Sequence, residues 1–434
     1  MMKNRVFIFE FASGGGFNKV NIPISLFCEG YGMLRSIIMD FKSLNFEIRT
    51  MLDYRIFHLA QFLPVDEVSI TLNMDNFLKK FKTYVRECKY VFIIAPESSN
   101  ILYKLTEIAK KANRILLSTN LKGISLGMSK LNTYYFFKEN KATTPKTYLI
   151  PKRKKLLDNE FILQIFNRLK KPVVIKPEDG VGAESIYYFE SQSQLKRFFL
   201  NFQHKVEYGR KYIIQEFIEG KDLSLSLIGR PYPRDSQLKE PFLLSINSQN
   251  IDIKNSNFKS EYYGGTTPTE NYMDVKNNLN AILEKINFSD VTGYFGIDFI
   301  RSSDAKLYFI EINPRLTTSY IGLRNVINHN PAKLIFNSKL NCINDYEIKY
   351  LNHSTFLRIE MDYNEKIQNE EISEVLTQKF MRKIPEFVTP PISLNKSNHF
   401  TCFIATKSKN LSESKKRIHE IKNILKRFGF ENIK

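Results

Sequence analysis

Cysteine is scarce: Cys28, Cys88, Cys342 and Cys402 are the only four among 434 residues, far apart and with no CxxC pair. Such spacing excludes a disulfide-stapled scaffold, argues against a zinc site and fits reduced thiols in a cytoplasmic protein. Tryptophan is missing, although phenylalanine and tyrosine bring the aromatic share to 13%. With 43% hydrophobic residues the composition excludes disorder and suffices for more than one domain. No apolar run reaches the roughly 18 residues of a membrane span. The N-terminal run is broken by Glu10 and is too short for a signal peptide. No repeat of fixed period and no low-complexity linker occurs. Two phosphate-binding fingerprints are also lacking. A GxGxxG pattern from Gly14 would need glycine where Lys19 stands, and there is no GxxxxGK[ST].

Acidic residues are the minority, 45 against 64 Lys plus Arg, for a net charge of +19. Such a balance attracts phosphates, carboxylates, nucleic acid or an acidic membrane. The lysines are scattered, however, and the denser run "KKFKTYVRECKY" has the spacing of a solvated helix face. Nucleic-acid binding needs clustered Arg and Lys with exposed aromatics. No such cluster is present, so neither nucleic acid nor a membrane is the expected partner.

Strand and helix alternate up to about residue 120. "VFIFEFASGGG" reads as a buried strand ending in a glycine turn, "GYGMLRSIIMDFKSLN" as an amphipathic helix and "FEIRTMLDY" as a strand. A helix–strand–helix–strand series then runs to "RILLS". That order predicts an open parallel sheet in an N-terminal α/β domain, residues 1–120. Ser129 is placed to cap a helix running to Asn140. From there antiparallel pairs dominate, giving an α+β domain over 121–340. Residues 341–434 read as a small appended α/β unit: the strand "STFLRIEMDY", a helix, the turn region "PEFVTPPISL", the strand "FTCFIATKS" and a basic helix. No cluster in that unit links to chemistry.

The chemistry centres on "GYFGIDFIRSSDAKLYFIEINPR". Glu311 and Asn313 are two apart in a strand and share a face. If "RSSDAK" turns a hairpin centred on Asp304 and Ala305, Asp298 falls opposite Glu311, with Cβ atoms about 4.5–5.5 Å apart. Two carboxylates so close repel unless a cation or a shared proton lies between them. An added amide oxygen makes an all-oxygen site suited to Mg²⁺, which completes its octahedron with water and phosphates. A phosphate site is offered by "VVIKPEDGVGAES", where Lys176 ends an apolar strand. Gly180 and Gly182 let backbone amides approach an anion, although such a loop equally turns a hairpin. Lys130, at the start of the Ser129-capped helix, is a second phosphate candidate. In "IIQEFIEGKDLSLSL", Gln215, Glu216 and Ile218 lie on a segment whose backbone can read a base edge, and Asp222 can accept from ribose hydroxyls.

Together and in this order these segments resemble the ATP-grasp superfamily over residues 120–330. The resemblance implies a nucleotide held between two lobes, about 121–210 and 211–340, with Lys130 and Lys176 on the phosphates and a glycine loop, Gly180–Gly182, closing over them. It implies Gln215, Glu216 and Ile218 at the adenine, Asp222 at the ribose, and Asp298, Glu311 and Asn313 on Mg²⁺ or Mn²⁺. Arg315 would lie near the transferred phosphate and act with Lys176 in neutralising charge. The implied reaction is ADP-forming amide synthesis: a carboxylate takes the γ-phosphate of ATP, and an amine displaces phosphate from the acyl phosphate. Related D-alanine–D-alanine ligases carry an arginine two residues before the metal aspartate, where this chain has Gly296. Arg315 or Arg324 would have to substitute.

A narrower resemblance lies in "FEFASGGG", "EGYGMLRSIIMDF", "LDYRI" and "EINPRLTTSYIGLR", which look like the tyramine–L-glutamate ligases of methanofuran biosynthesis. It implies small-molecule carboxylate and amine substrates and a cytoplasmic enzyme, and a homodimer is compatible with it. Glu29 can anchor the incoming ammonium, with Asp53 or Tyr54 assisting, or can serve only as a helix N-terminal carboxylate. Ser13 and Gly14 open a turn that either admits substrate or merely redirects the chain. A ligase for another amino acid and amine would keep the nucleotide residues and differ in the first domain.

Overall fold

The structure, a computed structural model, describes residues 4–153, 156–180, 186–201, 209–231, 240–253, 260–340, 346–364, 370–394 and 398–434. Among these residues the first layer is a parallel sheet in the order Glu67–Thr71, Glu47–Asp53, Arg5–Glu10, Tyr90–Ile94, Ile115–Leu116. Arg5–Glu10 is central, and its unbroken apolar run follows from burial on both faces. Val6 and Ile8 enter one core while Phe7 and Phe9 enter the other. The helix Ile24–Lys42 is apolar almost all round because two layers enclose it. Phe27, Tyr31 and Leu34 pack in one core with Val6 and Ile8 and also with Phe356, Ile392 and Phe403 of the distant C-terminal strands.

A four-stranded antiparallel sheet follows, Tyr187–Phe189, Val173–Pro177, Tyr212–Glu216, Thr147–Leu149, backed by the helices Asn159–Leu169 and Gln192–Asn201. The helix Lys130–Glu139 begins as expected: the Ser129 hydroxyl accepts from the Asn132 amide at 3.0 Å.

The largest sheet runs Leu307–Asn313, Gly293–Ser302, Gly220–Gly229, Phe242–Asp252, Glu261–Thr267, Ser354–Tyr363, His399–Ala405, Phe387–Ile392, with Phe430–Glu431 beside Ser354–Tyr363. Residues after 340, expected as an appended unit, thus carry their strands into this same sheet. Phe387–Ile392, expected as a turn region, is an edge strand, and its pairing is irregular around Pro390 and Pro391. Proline lacks the N–H a central strand must donate, but an edge strand tolerates it. Alternation in "GKDLSLSLIG" sends Leu223, Leu225 and Leu227 into the core, each burial stabilising by roughly 1.5–3 kcal/mol. Asp222 and Ser224 face the other way. Cys28, Cys88 and Cys402 are free and buried. Among the described residues no helix is long and apolar enough to cross a membrane.

Candidate active site

The polar face of the large sheet floors a cavity of about 980 Å³, roofed by the four-stranded sheet and walled by the first domain. Its centre is the hairpin Gly293–Asn313. The turn sits half a residue earlier than the sequence suggests: Ala305 donates to Ser302 O, and Arg301 pairs with Leu307. A bulge corrects the offset. Phe299 pairs with Phe309 in the core, yet Asp298 pairs with Glu311, leaving Ile310 as the extra residue. The two carboxylates therefore face each other on the cavity side.

Asp298 receives hydrogen bonds from Asn313 Nδ2 at 2.9 Å and Gln249 Nε2 at 3.1 Å. Burial, and then the facing Glu311, push its carboxyl up to about 7. Burial also opposes charge on Glu311, but the Lys130 and Lys176 ammoniums outweigh it and hold that carboxyl below its usual value. Lys130 Nζ lies 3.2 Å from Glu311 Oε2 and donates to Gly180 O at 3.1 Å. Lys176, only 5% exposed, has its ammonium lowered to about 8 by burial, against the pull of Glu311. Two lysines beside a buried carboxyl pair whose burial opposes full ionisation make the site one that favours an anionic ligand.

Gly180 has φ +131°, a backbone conformation that favours glycine, and it faces the Arg210 guanidinium. Arg210 is tied to Asp179 through Nε at 2.7 Å, with Nη2 on the Asp179 carbonyl at 2.8 Å. Gly182 lies outside the described residues. Further along the cavity come Gln215, Glu216, Phe217, Ile218 and Asp222. The Gln215 side chain is committed to Thr147 Oγ1 at 2.8 Å and Glu216 to Lys171 at 2.6 Å, which leaves backbone to contact a ligand. Burial raises the Asp222 carboxyl to about 6.

Residues 128–319 match the ATP-grasp domain family, and residues 46–124 match the pre ATP-grasp 3 domain. The chain carries an ATP-grasp domain. Among its relatives are the tyramine–L-glutamate ligases of Methanocaldococcus fervens and Methanocaldococcus jannaschii. The first is 27% identical over 74% of this chain and 89% of its own length, the second 26% over 81% and 92%. The biotin carboxylase domain of 2-oxoglutarate carboxylase from Hydrogenobacter thermophilus, solved with MgADP, superposes with a TM-score of 0.67. It is 13% identical, covering 97% of this chain and 89% of that one.

This ATP-grasp chain brings Asp298, Glu311, Asn313, Lys176, Arg315, Asp222 and Glu29 to one cavity. Other expected residues lie off it. Arg324 is spent on Asp40, Nη2 to Oδ1 at 2.7 Å, beside the Tyr320 hydroxyl. Asp53 is fully buried and paired with Arg55 through two 2.8 Å hydrogen bonds, and Tyr54 points to solvent, so neither assists at Glu29. Ser13 is buried, and its amide, with that of Ala12, holds the Glu10 carboxylate at 2.7 and 2.9 Å. A Cβ on Gly14 would strike the Phe9 ring at 2.4 Å, so the glycine turn packs rather than admits substrate. At Gly296 a Cβ would meet Thr317 Cγ2 at 2.7 Å, which leaves no room for an arginine. Arg315 enters instead from the loop after Asn313, held by Glu97 Oε1 of the first domain at 3.0 Å and Leu316 O at 3.0 Å.

The sequence reading missed Glu10, Glu97, Gln249 and Tyr262, and also Arg358 and Glu360 from the C-terminal section, all but Glu97 on the cavity wall. Arg358 and Glu360 alternate on one strand face just as Glu311 and Asn313 do, and that spacing is the signal that would have found them.

Proposed function

We propose that this ATP-dependent carboxylate–amine ligase joins L-glutamate to tyramine or a similar amine. The observation carrying this reading is the Asp298–Glu311 pair across a bulged hairpin, beside two lysines and lining a cavity of about 980 Å³. The donor set of two carboxylates and one amide suits Mg²⁺. Asp298, Glu311 and Asn313 would hold the metal, with the Asn313 amide turned to offer its oxygen. Lys130 and Lys176 would hold the nucleotide phosphates, the Gln215–Ile218 backbone the adenine, and Asp222 the ribose. When bound, ATP supplies the phosphoryl group that activates the acid as an acyl phosphate, and Mg²⁺ neutralises charge on it.

Arg315, aimed by Glu97, stabilises the negative charge that gathers on the acid as it reacts. Glu29 orients the ammonium of the amine and accepts the proton it must lose before attack. Ile24, Leu26 and Met33, on the helix that carries Glu29, line the same cavity as Phe17 and offer an apolar wall to an aromatic amine.

The test is ADP release with L-glutamate, tyramine and ATP, followed by mass spectrometry. A product heavier than tyramine by a glutamyl group supports the reading. ADP release with another acid and amine but not with this pair would retire the substrate assignment, and no ADP release with any pair would retire the ligase assignment.

A further inference from the structure

The far wall of the cavity carries a charged cluster that the reaction just described uses only at Glu29. Arg358 and Glu360 project from the strand Ser354–Tyr363 into the cavity, opposite Glu29 of the helix Ile24–Lys42. Arg358 is only 8% exposed. Its Nη1 lies 3.3 Å from Glu29 Oε1 and its Nε 3.2 Å from Glu360 Oε1, where Nε makes no aligned hydrogen bond among the described residues.

Two arginines away from the cavity look different. Arg324 grips Asp40 at 2.7 and 3.0 Å, and Arg55 grips Asp53 with two contacts of 2.8 Å. Both present the fork to a single carboxylate, the geometry that fills it, with charge-assisted distances of about 2.7–2.9 Å. Arg358 instead stands loosely between two different carboxylates, buried and facing the cavity. With Nη1 on Glu29 and the guanidinium over the Tyr263 ring, the buried Nε is the position left without an aligned hydrogen bond, and a ligand carboxylate would satisfy it.

The cluster is also wired to the reacting end. Thr318 Oγ1 donates to Glu29 Oε2 at 3.1 Å, and Thr318 follows Arg315 on the same loop. Tyr262 lies close enough to Asp298, Glu29 and Arg358 to feel all three charges, so it spans the interval between the metal candidates and the cluster.

We infer that Arg358 receives the second, unreacted carboxylate of the acid substrate while Glu360 accepts from its ammonium, which selects a dicarboxylic amino acid. This rests on the ligase reading above and assigns the C-terminal section a role in substrate choice.

Titration calorimetry of the full chain with ADP and Mg²⁺ present tests it, comparing L-glutamate with 4-aminobutyrate, which is L-glutamate without its α-carboxylate. The wild type is expected to prefer L-glutamate by at least about tenfold, and Arg358→Gln to bring the two acids within about threefold. Should Arg358→Gln fail to fold, Arg358→Lys and Glu360→Gln carry the test, each expected to weaken L-glutamate about tenfold. Undiminished preference in these variants, or a wild type that binds the two acids alike or binds neither, overturns the inference. ADP release with tyramine is scored separately. Its failure with acid selection intact removes the amine assignment and leaves the role of Arg358 standing.

Discussion

Burial holds the Asp222 carboxyl near 6, well above its ordinary value, and that has two consequences of opposite sign. Ribose hydroxyls donate, so the ligand needs the carboxylate, and the KM for ATP should fall as pH rises through about 6. The folded protein without ligand behaves the other way. Its Asp222 binds a proton more tightly than the unfolded chain does, so this group's contribution to stability declines from about pH 4 to above pH 6. Asp222→Asn should flatten both trends and raise the KM for ATP roughly tenfold at neutral pH. Initial rates against pH and melting temperatures of the two proteins check this; an unchanged KM would remove Asp222 from the nucleotide site. Glu311→Gln and Asp298→Asn should each lower kcat/KM at least about a hundredfold while the melting temperature stays near that of the wild type. Turnover close to wild type in either variant would dismiss the metal assignment.

The hairpin and the loop after it act as one element, because Gly296 in the strand touches Thr317 in the loop that carries Arg315. Gly296→Ala places a methyl 2.7 Å from Thr317 Cγ2, and the loop must give way. Arg315 then leaves its place beside Glu97, so kcat should fall by about tenfold or more with little change in the KM for ATP. Adding Thr317→Ser removes the offending methyl but keeps the hydroxyl that meets Ser319 and Tyr294, and should restore most of the rate. If the double variant stays as slow as the single one, the contact is not the cause. The pairing of Asp298 with Glu311 was legible at this scale because strand alternation and a polar turn are local signals. The bulge at Ile310 was not, since its only trace is a half-residue difference in where the turn falls. Arg324 and Asp53 show a further limit. A cation and a carboxylate in the right stretch of chain read as site residues until the structure reveals a buried partner, Asp40 for the one and Arg55 for the other.

At the scale of the whole molecule, the parallel sheet could be read from the alternation of strand and helix along the chain. The place of the last hundred or so residues could not. Their first strand, Ser354–Tyr363, pairs with Glu261–Thr267, far earlier in sequence, and no periodicity announces such a register. The same strands lie against the helix Ile24–Lys42. Arg35 Nη1 donates to Phe387 O at 2.9 Å, Thr389 Oγ1 donates to Cys28 O at 2.7 Å, and Phe356, Ile392 and Phe403 share a core with Phe27 and Tyr31. An appended unit would be removable. This section is instead the outer half of a sheet and the cover of a first-domain helix. Truncation after Leu340 should therefore leave Glu261–Thr267 as an unpaired edge and uncover the apolar helix, giving aggregated or molten protein. Circular dichroism, gel filtration and ADP binding of residues 1–340 decide the matter. A monomer with a sharp melting transition and intact ADP affinity would show that the nucleotide-binding body stands without its C-terminal strands.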